Sequence, residues 1–376
     1  MKKRIITAIA VCVPLIILTI CINTGIKTSY GKNNAKYELI TVVSVISDNT
    51  EKDKNSNSGL YIGTQKLNVE ILTGEHIGDV VETINTMSLY YNINIAPGML
   101  AVASVKDSQD GEYTVDIYTY FRLPVILCLL TVFFGLIIWI GGKKGLKSLL
   151  GLMFTIFCVT FLLIPLILKG YSAVLSAVFV GGLTTVVTLF LLDGASKKTF
   201  SAIIGTVFGV AASGITAFVM SYFAKLTIFS ENNAEALLQI SLDMPFDIKG
   251  ILFAGIIISA LGAVMDVGIS ISSSVCELYY TGNINSRKRL FRSGMNIGRD
   301  MMGTMINTLI LAFAGSSFSL FILLYSYQLP LMQLLNTDMI GMEILEAISG
   351  TIGIISTVPI TSFITSYILT RSNELK

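Results

Sequence analysis

From Leu123 to Leu369 the chain is an almost unbroken series of apolar stretches separated by short polar turns. About 20 such residues are what a helix needs to cross a bilayer. Within lipid every backbone N–H and C=O must find a partner inside the protein, so long stretches without period-2 alternation can only be helices. Seven stretches fit: 123–140, 146–168, 173–192, 201–224, 251–275, 303–327 and 348–369. Apolar residues make up 53% of the chain and charged residues 13%, which takes it out of the range of soluble domains.

An eighth span precedes them. Met1-Lys2-Lys3-Arg4 leads into an apolar run from Ile5 to Ile22. The positive start and apolar centre are those of a signal peptide, but small residues for cleavage are missing. Leu18-Thr19-Ile20-Cys21 approximates a lipoprotein box, with Ile20 too bulky for the position before the cysteine. Residues 1–23 therefore read as a retained signal anchor, with cleavage as the alternative.

Eight spans place both termini on one side of the membrane. With the amino terminus inside, fifteen Lys and Arg fall on the cytoplasmic side: those of 2–4, 143–147, 197–198, 287–299 and 371–376. The short outer loops hold three, Lys169, Lys225 and Lys249. This is the positive-inside bias, and it puts residues 24–121 outside the cell membrane.

That outer segment has another composition. Asn, Lys, Ser and Gly cluster between Ser47 and Gly59, predicting a flexible loop. Around it, β-rich runs cover 37–46, 66–72, 99–106 and 113–120. Leu67, Val69 and Ile71 alternate with polar neighbours, and Thr114, Asp116, Tyr118 and Tyr120 with apolar ones, the period of half-buried strands. A small barrel or sandwich is expected, turning at Gly74 and Gly78. The expected fold is thus an α-helical polytopic membrane protein of about eight transmembrane helices, with a small extracytoplasmic β-rich domain after the first. The parts are the anchor (1–23), the β-rich domain (24–121), a seven-helix membrane domain (122–370) and a cytoplasmic tail (371–376).

Five cysteines lie in or beside apolar segments and none in 24–121, so no disulfide framework is implied there. His76 is the single histidine and has no partner type for a zinc site. No metal and no cofactor is expected. The net charge of +2 gives no basis for nucleic-acid binding.

Polar residues inside the apolar segments carry the functional signal. At about 100° per residue, Ser259, Gly262, Asp266, Ser270, Ser273 and Glu277 fall on one stripe. Asn296, Asp300, Thr304 and Asn307 share a face of the next segment, beside Arg299. A carboxylate at membrane depth costs roughly 2.5–3.5 kcal/mol and has to face protein or water. Asp266 is therefore expected in the bundle interior, with the two stripes opposed. The candidate solute or ion path is Asp266, Ser270, Ser273, Glu277, Arg299, Asp300, Thr304 and Asn307. Ser201, Gly205, Gly209, Ser213 and Ala217 recur every fourth residue and read as a packing ridge, joined by Gly262, Gly298 and Gly303. Leu290, Phe291 and Met295 interleave with Arg287, Lys288, Arg289 and Arg292, which reads as an amphipathic helix on the inner membrane face or as a basic loop.

The block LGAVMDVGISISSSVCEL at 261–278, with LFRSGMNIGRDMMGTMINTLILAFAG at 290–315, closely resembles the YibE/YibF-like family of bacterial membrane proteins. GLKSLLGL at 145–152, LLDGASKKTFSAIIGT at 191–206 and SGTIGIISTVPIT at 349–361 extend the likeness over roughly residues 120–370. The family's motif positions fall on Gly262, Asp266, Ser270, Glu277, Ser293, Gly294, Asn296, Gly298, Arg299, Asp300, Gly303, Thr304, Asn307 and Thr308. The resemblance implies a multipass protein of the bacterial cell membrane and brings no activity with it.

The residues themselves point first to a secondary transporter or channel-like permease for a small polar solute or ion. Oxygen ligands suit protons and hard cations. The alternative is a non-catalytic membrane scaffold whose outer β domain binds envelope partners. The partners open to such a chain are the lipid bilayer, a small ion or polar solute, and a second copy of itself or another membrane subunit. An enzyme fares worst: there is no HExxH pair and no P-loop. Asp266 and Asp300 leave an intramembrane aspartyl hydrolase open, outside the glycine-rich context of such enzymes.

Overall fold

The computed structural model describes residues 35–53, 59–88, 91–107, 113–226, 247–282 and 284–374. The signal anchor and residues 54–58 of the expected flexible loop lie outside the described residues, while the loop's first part is taken up by the end of the strand Ala35–Asp48 and by a short strand at Glu51–Lys52. The chain forms two compact units, Ser29–Leu136 and a second that runs from Ile137 onward.

In the first unit β1 (Ala35–Asp48), β2 (Glu51–Lys52), β3 (Tyr61–Ile71), β4 (Val80–Met87), β5 (Leu100–Asp107) and β6 (Tyr113–Tyr120) build one antiparallel sheet. β1 is central, pairing β3 on one side and β5 on the other; β4 extends β3 and β6 extends β5. Irregularities after Val42 and Val45 let β1 curl, as bulges do. The two ends of the sheet then approach, and the Thr83 hydroxyl donates to the Val115 carbonyl. The result is a partly open barrel, the class that includes OB-type folds. Ile40, Val42, Leu67, Val69, Ile71, Ala101, Ala103 and Val105 fill it. The β3–β4 turn needs a glycine at 74, where φ is 91° and the buried Glu38 carboxylate fills the space of a Cβ.

β4 was not among the runs read from the sequence. Its inward residues are Thr83, Asn85 and Met87, while Val80 and Ile84 face out. Polar groups point inward because a polar network waits there. Asn85 Nδ2 donates to Gln65 Oε1 (3.2 Å) and to the Ile93 carbonyl (2.7 Å). Gln65 Nε2 donates in turn to Asp48 (3.0 Å) and Asn94 (3.1 Å).

The second unit is helical. Leu123–Leu168, which begins in the first unit and continues into the second, is a 46-residue apolar stretch, more than twice what a bilayer needs. Its first part, α1 (Leu123–Cys158), breaks at Gly142 (φ 52°, ψ −132°). A Cβ on Gly145 would press on the carbonyl of Ile137, a residue about 12 Å away along a straight helix. The chain therefore folds back there. A π turn, Val159–Leu163, and α2 (Ile164–Leu168) complete the stretch.

Then come α3 (Ala173–Asp193), α4 (Lys197–Ala224), α5 (Ile248–Tyr280), α6 (Arg287–Ser316), α7 (Phe318–Ser326), α8 (Leu331–Leu335) and α9 (Asp338–Glu374). Ser196 caps α4 by accepting from the Thr199 amide (3.1 Å), and Asp247 caps α5 by accepting from that of Lys249 (3.0 Å). α9 packs against α4, α5 and α6, and α3 packs against α4 and α5. Among the described residues five helices are long and apolar enough to cross a membrane, and six if α6 and α7, bent by 60°, make one span. The basic stretch from Arg287 is neither a loop nor a separate surface helix. It is the first half of α6, held to the bundle through Leu290, Gly294 and Gly298.

Candidate functional site

The interior of the helical unit is built on two ladders that repeat every four residues. On α4 they are Ser201, Gly205, Gly209 and Ser213; on α9, Ser349, Gly353, Thr357, Thr361 and Thr365. The helices run antiparallel, with Gly205 under Thr361, Gly209 under Thr357, and Gly353 against Ser213. Close approach replaces the hydrophobic drive that lipid cannot supply. Thr357 and Thr365 donate to the carbonyls of Gly353 (2.8 Å) and Thr361 (2.7 Å). The hydroxyls of Thr206, Ser213, Thr361 and Ser362 are buried without a hydrogen-bond partner. Thr361 lies on the Gly205 backbone, where a weak Cα–H···O contact is on offer. The α9 ladder was not read from the sequence, although its four-residue recurrence is visible there.

The charged residues lie elsewhere. α5 buries Ile257, Ala260, Leu261, Val264, Val267 and Ile271 against its neighbours. Gly255, Ser259, Gly262, Asp266 and Glu277 are on the opposite, exposed side, with Ser270 and Ser273 half-buried at its margin. Asp266 thus faces outward from the chain, not into the bundle as expected. On α6 the buried positions Leu290, Gly294, Gly298 and Leu309 likewise leave Asn296, Arg299, Asp300, Gly303, Thr304 and Asn307 exposed. The two polar faces are outward ones and do not oppose each other across an interior.

α5 and α6 are antiparallel neighbours. Gly294 packs against Val275 and Ser362, and Gly298 against Ile271 and Val358. Gly262 and Gly303, read as packing positions, have open space where a Cβ would stand, unlike Gly205, Gly209 and Gly298. Among the described residues Asp266, Arg299 and Asp300 make neither a hydrogen bond nor an ion pair with a side chain, so no dyad or intrachain pair forms. No group of three His, Cys, Asp or Glu among them has metal-binding geometry.

At the basic end Arg287 lies over the rings of Phe363 (4.8 Å) and Tyr367 (4.6 Å), and Arg371 also reaches the Tyr367 ring (5.8 Å). These cation–π contacts tie the start of α6 to the end of α9. Nearby, Lys198 pairs with Asp193 (3.0 Å) and Lys147 donates to the Leu192 carbonyl (3.2 Å).

A family model described as YibE/F-like protein matches residues 129–371. The chain belongs to the YibE/F-like family. The match contains the α4–α9 ladders and both outward stripes, and it begins after the barrel. No curated protein and no solved structure matches.

Proposed function

We propose that this YibE/F-like chain is a permease subunit of the bacterial plasma membrane that passes a small polar solute or ion. The observation that carries the reading is Asp266, a carboxylate near the middle of a 33-residue apolar helix, on a face that also bears Ser259, Ser270 and Ser273. Such a group costs about 2.5–3.5 kcal/mol at membrane depth, which a purely structural helix would avoid. Arg299, Asp300, Thr304 and Asn307 add a second polar face on the neighbouring helix.

The full arrangement has eight spans, both termini in the cytoplasm and the barrel outside. Three features support it: the distribution of Lys and Arg, the fold-back at Gly142, and the antiparallel packing of α4 on α9 and of α5 on α6.

Reconstituted protein tests the function. Asp266→Asn removes the charge and keeps a hydrogen-bonding group. Solute flux should fall to background while membrane abundance stays at the wild-type level; full flux in the variant would remove the transport role of this carboxylate.

A second reading, a scaffold whose barrel binds envelope components, draws on a groove of about 310 Å³ along β4 and β6. Ile84, Thr86, Tyr91, Asp116 and Ile117 line it. Under that reading Asp266→Asn stays functional, and substitutions in the groove abolish activity instead.

A further inference from the structure

The outward stripe on α5 combines features that do not belong against lipid. Asp266 lies near the middle of its helix and has no partner among the described residues. On the turns that precede it Gly255 and Gly262 have nothing within 4 Å of a Cβ, and the same is true of Gly303 beside it on α6. The surface is a charge flanked by open notches. Polar groups at this depth have to be covered by protein or water, and notches of this kind let a helix backbone approach closely.

The sequence narrows what can cover it. The apolar segments 5–22, 123–140, 173–192, 201–224, 303–327 and 348–369 contain no Lys, Arg or His. None of them brings a cation to Asp266. Arg299 is the cation closest in depth. With Gly298 beside Ile271, it lies about one turn, roughly 6 Å, from Asp266 along the helix axes. An extended arginine spans that offset, yet within one chain the two do not pair.

We infer that a second copy of this chain covers the stripe, in a two-fold pair in which the partner's Arg299 meets Asp266 and the reverse contact is made by symmetry. Both copies have the same orientation in the membrane, so a two-fold axis along its normal keeps every depth equal. The polar patch is self-complementary: it offers one base, Arg299, to the carboxylate Asp266, with Asp300 beside that base on its own helix, and the glycine notches that admit the opposing helix. Pairing α5 with the partner's α6 also keeps the two Asp266 carboxylates apart, which pairing α5 with its own copy would not. The consequence for the permease reading, on which this part rests, is that the path runs between two copies.

Association is measured without flux, so its failure is distinct from a failure of transport. Two differently tagged copies are co-expressed, and the capture of one by the other is read from detergent-solubilised membranes. Asp266→Arg alone and Arg299→Asp alone should each lose capture by more than about tenfold, since every pair sets like charges together. An Asp266→Arg copy mixed with an Arg299→Asp copy should restore it, because both contacts are again opposite in sign. Gly262→Leu should lose capture at unchanged abundance, because within one chain its side chain meets nothing.

Capture of either charge-reversed variant at the wild-type level overturns the inference. So does a mixed pair no better than either alone, and so does a different membrane protein co-purifying in place of the second copy. Where the reversed variants do not accumulate, Gly262→Cys with Asn307→Cys, in a chain free of native cysteines, should oxidise to a covalent dimer. A chain that stays monomeric under oxidation overturns the inference too.

Discussion

A Cβ on Gly209 would stand 2.9 Å from the Gly353 carbonyl oxygen and 2.8 Å from Val264 Cγ1, and the carbonyl cannot step aside without moving a helix. Gly209→Ala should therefore lower the stability of the helical unit by about 1–3 kcal/mol, the usual cost of overpacking. Gly262→Ala, facing open space, should leave it unchanged, and thermal denaturation in one detergent compares the two. Both glycines occur at four-residue spacing in apolar sequence, so spacing alone does not separate them. In the barrel, Asp48 shows how a residue can report on pH. Its carboxyl is held below the usual carboxylate value by the Thr50 hydroxyl and then by the Gln65 amide. A lowered folded pKa means stability that is present above the unfolded value of 3.8 and lost as pH falls through the folded one. The isolated barrel, residues 30–120, should melt at a lower temperature as pH drops below about 4, and Asp48→Asn should flatten that slope. An unchanged slope in the variant would remove Asp48 as its source.

At the scale of elements, alternation made β3 and β6 legible, and β-rich composition made β1 and β5 so; β3 turns Leu67, Val69 and Ile71 inward, while β1 leaves Tyr37, Val43 and Ile46 outside and buries Glu38. β4 escaped because its pattern is inverted, with Asn85 pointing in and Ile84 out. An edge strand that completes a polar network cannot be found by hydrophobic period. The inversion has a testable consequence. Asn85→Ala, which orphans Gln65 and the Ile93 carbonyl, should cost the barrel about 1–3 kcal/mol. Ile84→Ser, at a side 59% exposed, should be nearly neutral. A denaturant titration of the two variants that ranked them the other way round would contradict the network. The stripe on α5 was legible for a related reason: polar residues at helical period mark a face in any apolar helix. Which way that face points was not. In a membrane helix both the packed and the unpacked sides are apolar, so no contrast in the pattern tells inside from outside. Only the packing of Val264, Val267 and Ile271 on neighbouring helices turned Asp266 outward.

For the whole molecule, charge placement is the sequence signal with the longest reach. Lys and Arg resist transfer across the membrane, so under the proposed eight-span arrangement a fifteen-to-three asymmetry would orient every span at once, including those whose packing the sequence does not reveal. The proposed arrangement depends on one local event, the fold-back at Gly142. If Leu123–Leu168 ran straight, its 46 residues would make a single span of about 69 Å, and every later loop would change sides. Two sites discriminate, each introduced singly into a cysteine-free chain. Asn49→Cys, exposed at the end of β1, precedes the fold-back; Lys288→Cys, exposed at the start of α6, follows it. With the fold-back, an impermeant thiol reagent applied to intact cells should label position 49 and leave 288 protected until the membrane is opened. Without it, one crossing fewer separates the two positions, and both should label or neither. Labelling of 288 in intact cells would therefore overturn the eight-span arrangement at this one turn, while leaving the packing of α4 on α9 untouched.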